Sequence, residues 1–334
     1  MEQEIIVLSL FLFFYTIFFN IRNKICYFLG LMDMPNDKRK IHLKPTPLFG
    51  GLIILLTIIL NIKNLYNFLP NKEFLILIFL ISIYFILSLL DDIKNLNSYF
   101  RLSFLFLTTY ILLSYSDIFV LKKLIFSFNQ IQINLGSFDV FISTLCILLL
   151  VNALNLSDGI NGLSTLLILS WFVYIKLILF NNFTLFNIST IVILLIIFYH
   201  IYKGLYFMGD YGVTVSALII GLISISSYNL QNNNSVEIFV EELFFLFFIP
   251  GLDMLRLFIE RITKKKDPFS PDKNHLHHLL ISRYELKKTL LIYFAISITP
   301  IILYKFTNLN TLMLIVFYSL IYILFLIKMT KKYF

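Results

Sequence analysis

Apolar runs separated by short polar segments set the pattern of this chain. Each run is close to the roughly 20 residues that a helix needs to cross a bilayer. We therefore predict an all-α integral membrane protein of about eleven transmembrane helices, with residues 1–334 in a single polytopic domain. The predicted spans are residues 5–21, 46–62, 73–90, 101–121, 139–157, 163–180, 185–202, 212–229, 238–260, 288–305 and 310–328.

One outer segment, residues 122–138, has a different period. Polar residues there alternate with apolar ones such as Ile131, Ile133 and Leu135. This period of two predicts a short β-hairpin. It lies on the opposite side from the acidic residues described below, so we assign it no chemistry.

Composition supports the assignment to a membrane. The chain is 59% hydrophobic and 14% charged, whereas a soluble domain is about 45–50% apolar. A separate soluble domain therefore has no room. Glu2 and Glu4 precede the first run in place of a basic region, and no small-residue cleavage site follows it. We expect this run to remain as an uncleaved anchor.

The distribution of basic residues predicts the orientation. With the N-terminus outside, the inner segments hold 21 of the 27 Lys and Arg residues, and the positive-inside rule then places the C-terminus in the cytoplasm. This topology and attraction to anionic lipid account for the net charge of +8. Membrane lipid, and no nucleic acid, is the expected partner. Cys26 and Cys146 show no disulfide or zinc pattern.

A polar stretch, residues 152–163, interrupts two apolar runs. Asn152, Asn155 and Asp158 recur every three residues, so a helix would present them along one side. Asn161 follows, and Gly159 precedes it where the backbone can turn or approach a ligand closely. A helix-ending turn would explain an Asp-Gly pair alone. It explains four polar residues at a membrane boundary poorly, because they are costly unless they bind something.

Further acids lie on the predicted inner face. Asp91 and Asp92 end the third predicted helix, where the helix dipole disfavours carboxylates, so we expect a metal or a cation rather than a capping role. Lys94 and Arg101 could pair with them or bind phosphate. Asp210 could cap the next helix or join these acids in a functional site.

Two inner loops carry basic or imidazole groups. Residues 38–40 are basic and lie in a proline-rich loop. They could bind phosphate, or they could reflect only the positive-inside rule. The last large loop holds His275, His277 and His278, which suit a metal or phosphate groups. We interpret Asp253 and Arg256 as an internal ion pair.

Together these motifs resemble the polyprenyl-phosphate N-acetylhexosamine-1-phosphate transferases, glycosyltransferase family 4. The resemblance rests on Asp-Asp at 91–92, the stretch 152–163, Gly-Asp-x-Gly at 209–212, His-Leu-His-His at 275–278 and Arg-Lys-x-His at 39–42 before Gly-Gly at 50–51. The His-x-His-His form preceded by Pro-Asp looks like the WecA type, which transfers N-acetylglucosamine 1-phosphate, rather than the muramoyl-pentapeptide (MraY) type. Asn161 stands where bacterial members usually have Asp, and Val213 where Ser or Ala is common.

The resemblance implies the reaction and its components. Members transfer a sugar 1-phosphate from a UDP-sugar to undecaprenyl phosphate and release UMP. They need Mg²⁺, with Mn²⁺ as an alternative ion. A multi-pass enzyme of the bacterial inner (plasma) membrane is implied, with its active site on the cytoplasmic face. It would catalyse the first membrane step of lipid-linked cell-envelope glycan synthesis.

The resemblance also implies roles for individual residues. All four acids would be catalytic: Asp210 would be the first metal ligand and Asp158 a second. Asp91 and Asp92 would lie next to Asp210 and bind metal-bound water or the lipid phosphate. Phe207 would stack on uracil. The remaining substrate-binding residues would contact the nucleotide, sugar or diphosphate: Asn152, Asn155, Asn161, His275, His277, His278, Lys94 and Arg101.

Several alternatives stay open at this stage. The donor could be UDP-linked GlcNAc, GalNAc, a modified N-acetylhexosamine or muramoyl-pentapeptide. The product could feed O-antigen, teichoic acid, capsule or protein glycosylation, and a homodimer is neither required nor excluded. A transporter is disfavoured because the acids lie at helix ends and no internal repeat is visible. An inactive scaffold is disfavoured because only Asn161 departs from the acidic and histidine motifs.

Overall fold

Helices dominate the structure, a computed structural model that describes residues 2–35, 44–176, 186–229, 238–270, 272–307 and 310–330. Thirteen α-helices lie within these ranges: α1 Glu2–Phe28, α2 Gly50–Leu60, α3 Ile62–Phe68, α4 Asn71–Lys94, α5 Ser98–Leu113, α6 Asp139–Ser157, α7 Leu163–Tyr174, α8 Phe186–Tyr202, α9 Asp210–Asn229, α10 Val240–Thr263, α11 Leu276–Ile281, α12 Leu286–Phe306 and α13 Thr311–Thr330. Four short strands complete the described elements: β1 Met32–Asp33, β2 Thr46–Pro47, β3 Lys123–Ile125 and β4 Gln132–Asn134.

The helices identify a multi-pass, all-α membrane protein. By length and composition, 6 described helices can cross a membrane, and four shorter apolar helices accompany them. The six are Gln3–Phe28, Asn71–Lys94, Gly136–Ser157, Asp210–Asn229, Leu286–Phe306 and Thr311–Met329. Every segment predicted from the sequence contains a helix, except that residues 177–180 and 185 fall outside the described ranges. Eleven crossings and an outer N-terminus stay predictions.

Helix α9 is the centre of the bundle. It is the most deeply buried of the candidate spans, with 89% of its apolar window inside the protein, and it packs on α2, α4, α6 and α7. Small residues permit this close packing. A Cβ atom on Gly212 would lie 2.7 Å from the Cα atom of Gly51 in α2. The backbones of α2 and α9 therefore approach more closely than side chains would allow.

The start of α9 is fixed by backbone pairing with the segment before α2. The Phe207 N–H donates to the Pro47 carbonyl at 2.9 Å, and the Gly51 N–H donates to the Met208 carbonyl at 2.8 Å. Strand β2 also pairs antiparallel with β1. This arrangement gives Gly-Gly at 50–51 a packing role, because a Cβ atom on Gly51 would lie 2.2 Å from Cε2 of Tyr211.

The predicted hairpin is confirmed. Strand β3 pairs antiparallel with β4, with Leu124 opposite Ile133. The hairpin is bound to the helices at two points: the Tyr228 hydroxyl contacts the Ile125 N–H at 2.7 Å, and Glu241 accepts from the Ser127 N–H at 2.8 Å. It therefore acts as a structural cover on one end of the bundle.

Candidate active site

Three carboxylates converge where α4, α5 and α9 meet. Asp91 and Asp92 lie in the last turn of α4, and Asp210 is the first residue of α9. Arg101 of α5 links two of them, because its Nη1 atom lies 3.2 Å from Oδ2 of Asp210 and also contacts Oδ2 of Asp91. The prediction that these residues lie together is confirmed. Their catalytic roles stay predictions.

Asp91 also caps the chain after α4, which corrects the expectation that a capping role was excluded. Its Oδ1 accepts from the Leu96 N–H at 2.8 Å. The helix dipole does not oppose this bond, because Leu96 lies beyond the helix end, after Asn95 has taken the left-handed conformation at φ 50°. The guanidinium group of Arg101 contacts the other oxygen and offsets the charge.

Asp92 holds the beginning of α9. Its Oδ2 accepts from the Tyr211 N–H at 3.2 Å, one of the N–H groups that a helix leaves unpaired at its first turn. Gly209, at φ 75°, makes room, since a Cβ atom there would lie 3.1 Å from Oδ2 of Asp92. The described hydrogen bonds of the Asp210 carboxylate go to other side chains, so the capping alternative for Asp210 is not observed.

The polar stretch 152–163 joins the cluster through Asn155. Its amide Nδ2 donates to Oδ2 of Asp210 at 3.3 Å, while its buried Oδ1 has no hydrogen-bond partner among the described residues. Asn152 instead donates to the Leu148 carbonyl of its own helix at 2.8 Å. Asn161 lies in the turn before α7, close to Gly204. The structure thus brings Asn155 to Asp210, whereas Asn152 forms no hydrogen bond with these acids among the described contacts.

Asp158 follows α6 and is bound by the next helix. The Ser164 hydroxyl of α7 donates to its Oδ1. Part of Asp158 remains accessible, but the surrounding protein withholds water from the carboxylate and raises its pKa to about 7; the nearby charge of Asp210 acts in the same direction. A carboxylate that is costly to ionise here is one that a cation would stabilise.

The histidine loop reaches the same turn. A Cβ atom on Gly159 would lie 2.2 Å from Nε2 of His277 and 2.9 Å from Nε2 of His278. His277 is 1% exposed, and neither of its ring nitrogens has a hydrogen-bond partner among the described residues. Burial, with the charges of His278 and His275, lowers the pKa of His277 well below its usual value. His277 is therefore a neutral imidazole beside the turn that carries Asp158.

Asp253 binds the imidazole ring of His275. Its Nδ1 lies 2.9 Å from Oδ2 of Asp253, and the predicted Asp253–Arg256 ion pair is confirmed at 3.1 Å. Asp253, His275 and His277 offer ligand atoms within 4.8 Å of one another. A metal fits poorly between them, since Asp253 already accepts from Arg256 and from the Tyr322 hydroxyl at 2.5 Å. We read this cluster as a hydrogen-bonded support.

The remaining predicted residues take separate positions. Phe207 is partly buried and pairs through its backbone with the Leu48 region. Lys94 is exposed at the end of α4 and forms no ion pair within the described residues. The basic loop residues 38–40 and His42 lie outside the described ranges.

The acidic cluster fits Mg²⁺, which prefers oxygen ligands and retains several waters. Four carboxylates, those of Asp91, Asp92, Asp158 and Asp210, influence one another electrostatically, and Arg101 is the cation described in contact with them. Oδ1 of Asn155, which has no hydrogen-bond partner in the described part of the chain, adds a neutral oxygen beside Asp210. The cluster therefore has both the excess negative charge and the oxygen atoms that a divalent cation requires.

Sequence reasoning missed two supporting contacts. The Asp253–Arg256 spacing indicated an ion pair but gave no sign that Asp253 also binds His275, which lies 22 positions away. Ser164 was not singled out either, although it binds Asp158 across the turn. No local pattern marks either partner, because both contacts depend on how separate helices pack.

Comparison with known proteins places this site in a wider group. Residues 74–228 match the glycosyl transferase family 4 sequence model, a range that contains α5 to α8, most of α4 and α9, and all four acids. The chain is 26% identical over 284 residues to the undecaprenyl-phosphate alpha-N-acetylglucosaminyl 1-phosphate transferase of Escherichia coli (strain K12), covering 82% of this chain and 75% of that protein.

Two further relatives show the same relation. The protein of the same name from Yersinia pestis is 24% identical over 291 residues, covering 84% of this chain and 77% of the relative. The probable undecaprenyl-phosphate N-acetylglucosaminyl 1-phosphate transferase of Bacillus subtilis (strain 168) is 26% identical over 288 residues, covering 82% and 78%.

Proposed function

We propose that this chain, which matches the glycosyl transferase family 4 model over residues 74–228, transfers N-acetylhexosamine 1-phosphate from a UDP-sugar to undecaprenyl phosphate. GlcNAc-1-phosphate is the first candidate for the transferred group. The observation that carries this proposal is the contact of Arg101 with both Asp91 and Asp210, with Asp92 bound to the start of the helix that carries Asp210 and with Asp158 and the histidine loop alongside. The names of the relatives support undecaprenyl phosphate as the acceptor and N-acetylglucosamine 1-phosphate as the transferred group.

The reaction joins two phosphates. An oxygen of the lipid phosphate attacks the phosphorus atom that bears the sugar, the bond from this phosphorus to the bridging oxygen breaks, and UMP leaves with that oxygen. A phosphate monoester has its second pKa near about 6 and is largely dianionic at neutral pH. A carboxylate base is therefore not needed to form the nucleophile, and positioning and charge neutralisation remain as the main tasks.

Asp210 and Asp158 would hold Mg²⁺, which when bound neutralises phosphate charge. Asn155 fixes Asp210 by a direct hydrogen bond. Arg101 offers a second cation next to the same carboxylate. The acids would therefore hold two cations, Mg²⁺ and the Arg101 guanidinium group, close together, and both anionic substrates could bind next to them.

The histidine loop would contact the donor. His277 and His278 lie against Gly159 and can donate hydrogen bonds to diphosphate or sugar oxygens without bringing a second positive cluster. Phe207, next to Met208 and Gly209 at the start of α9, would stack on uracil, and Lys94 would serve as a peripheral cation. Asn152 and Asn161 flank the donor region, where the Asn161 amide would influence sugar choice.

Inner-membrane location with a cytoplasmic site agrees with this chemistry. The positive-inside distribution places the loops that carry Asp91, Asp158, Asp210 and the histidines on one side. UDP-sugars are soluble cytoplasmic nucleotides, whereas the acceptor is anchored in the bilayer. The product would begin a lipid-linked cell-envelope glycan.

The proposal is tested by a transfer assay in nanodiscs with UDP-GlcNAc, undecaprenyl phosphate and Mg²⁺, scoring UMP and the lipid product. We expect product formation that EDTA abolishes and that added Mg²⁺ restores. Asp210→Asn should abolish transfer while the thermal unfolding transition remains. The matched control is Asp117→Asn, because Asp117 is an exposed acid paired with Lys72 and Lys122 away from the cluster.

Each outcome has a distinct meaning. Normal turnover in Asp210→Asn would overturn the assignment of Asp210. Product only with UDP-GalNAc or a UDP-muramoyl-pentapeptide would keep the reaction and change the donor. No product with any donor from stable wild-type protein would favour an inactive scaffold.

A further inference from the structure

Asp253 of α10 lies at the centre of a buried hydrogen-bond network behind the histidine loop. It is 3% exposed, and its two carboxylate oxygens accept from four groups. The donors are Nδ1 of His275 at 2.9 Å, the Leu276 N–H at 3.2 Å, Nη2 of Arg256 at 3.1 Å and the Tyr322 hydroxyl at 2.5 Å. Four donors satisfy a buried carboxylate, so its position is well determined.

This arrangement fixes the tautomer of His275. A carboxylate paired with Arg256 is ionised and can only accept, so the 2.9 Å contact requires a proton on Nδ1 of His275. Nε2 is then the nitrogen left for another partner. No hydrogen bond to Nε2 occurs among the described residues, although His275 is only 4% exposed.

The C-terminal helix α13 supports the network. Tyr322 of α13 donates to Asp253 and also accepts from Nε of Arg256 at 3.0 Å. Arg256 in turn donates to the Asn274 carbonyl at 2.6 Å, immediately before His275. The α13 helix therefore contacts the histidine loop through a chain of direct hydrogen bonds rather than through general packing.

We propose that Asp253 is a positioning residue which, held by Tyr322 of α13, fixes His275 with Nδ1 protonated and Nε2 directed to the donor substrate. The catalytic part of this inference rests on the proposed function. His275 stacks on His277 at a ring distance of 5.5 Å and an angle of 17°, and His277 lies against Gly159. The network thus extends from α13 to the turn that carries Asp158.

The decisive variant is Asp253→Asn. The amide keeps the shape but replaces one acceptor oxygen with an NH₂ group. Arg256 cannot accept a hydrogen bond, so the NH₂ group must turn towards His275, whose Nδ1 then has to accept. The variant should therefore convert His275 to the tautomer with Nε2 protonated.

We would measure this by ¹⁵N NMR of histidine-labelled full-length protein in nanodiscs at pH 8, with His275→Gln used to assign the signals by difference. We expect a protonated Nδ1 in the wild type and a protonated Nε2 in Asp253→Asn. The same variant should lower kcat/KM for the UDP-sugar by at least about tenfold, as loss of a residue supporting a ligand commonly does. The KM for undecaprenyl phosphate should stay unchanged.

Tyr322→Phe provides a milder second variant in case Asp253→Asn fails to fold. It removes one donor and should lower kcat/KM by a few-fold while preserving the α13 packing. Tyr318→Phe is the matched control, because Tyr318 is buried on the same helix at 5% exposure and its hydroxyl makes no hydrogen bond within the described residues. It should leave both the NMR signals and the kinetics unchanged.

The outcomes separate this inference from the proposed reaction. Wild-type kinetics and an unchanged tautomer in Asp253→Asn would overturn the positioning role while the reaction stands. If the wild type is inactive but Asp253→Asn still changes the tautomer of His275, the role of Asp253 in fixing His275 stands and the proposed reaction is refuted. A protonated Nε2 in the wild type would overturn the inference directly.

Discussion

Gly159→Ala is the sharpest test of the contact between the histidine loop and the turn after α6. The added methyl carbon would lie 2.2 Å from Nε2 of His277 and 2.9 Å from Nε2 of His278. A normal van der Waals separation is about 3.5 Å, so the His277 ring has to move by more than about 1 Å. Since Gly159 does not have a positive φ, alanine meets no backbone strain there, and the effect comes from this displacement.

The displacement sets the expected magnitude. A shift of about 1 Å in a positioned group can cost about 10²-fold in rate, which corresponds to about 2.7 kcal/mol of transition-state stabilisation. Forcing one methyl group into a packed site typically costs about 1–3 kcal/mol of folding free energy. We therefore expect a stable protein with lowered melting temperature and kcat/KM reduced by about 10²-fold.

The measurement is donor-dependent transfer in nanodiscs, with the melting temperature recorded for each variant. Gly251→Ala is the matched control, because a Cβ atom on Gly251 of α10 meets nothing within 4 Å. It should retain wild-type activity. A stable Gly159→Ala protein with wild-type kcat/KM would show that the close contact between His277 and the turn has no part in the reaction.

Two further predictions concern charge. Arg101→Gln should lower the melting temperature of the metal-free protein, because Asp91 and Asp210 lose their cation. It should also enlarge the increase in melting temperature that Mg²⁺ produces. An equal Mg²⁺ effect on the variant and the wild type would contradict this. Burial and the charge of His275 lower the pKa of His278 to about 4. The lowered pKa of His278 therefore contributes to the stability of the fold above about pH 6.5, the usual pKa of histidine. This contribution is lost as the pH falls towards 4. The melting-temperature difference between wild type and His278→Gln should therefore shrink on acidification. A constant difference would refute the assigned shift.

How well the sequence predicts a structural feature depends on how far apart along the chain the interacting residues lie. Apolar length and the period of two depend on neighbouring residues, and they predicted the helices and the hairpin. The grouping of Asp91, Asp92 and Asp210 followed from their placement on one side of the membrane. The bond from Asp91 to the Leu96 N–H was not predicted, because the helix dipole gives no information about a backbone donor that lies beyond the helix end.

Tertiary contacts account for the rest. Asn152 and Asn155 follow the same sequence spacing, yet only Asn155 contacts Asp210, since the amide of Asn152 satisfies its own helix at Leu148. Periodicity identifies a helix side but does not determine which side chains turn to a partner. Gly50 and Gly51 were interpreted as part of a family motif. The structure gives them a packing reason, because Gly50 lies against Met208 and Gly51 lies against Tyr211 and Gly212.

The packing of α9 explains why glycine and acidic residues occur together in this site. Asp210 can meet Arg101 only if the beginning of α9 lies deep between α2 and α4, and Gly51 and Gly212 allow that approach. Asp92 then binds the Tyr211 N–H and fixes the same end of the helix. The Asp92 carboxylate therefore stabilises the position of Asp210 at the start of α9. A substitution at either glycine would be expected to alter the acidic cluster without touching any acid.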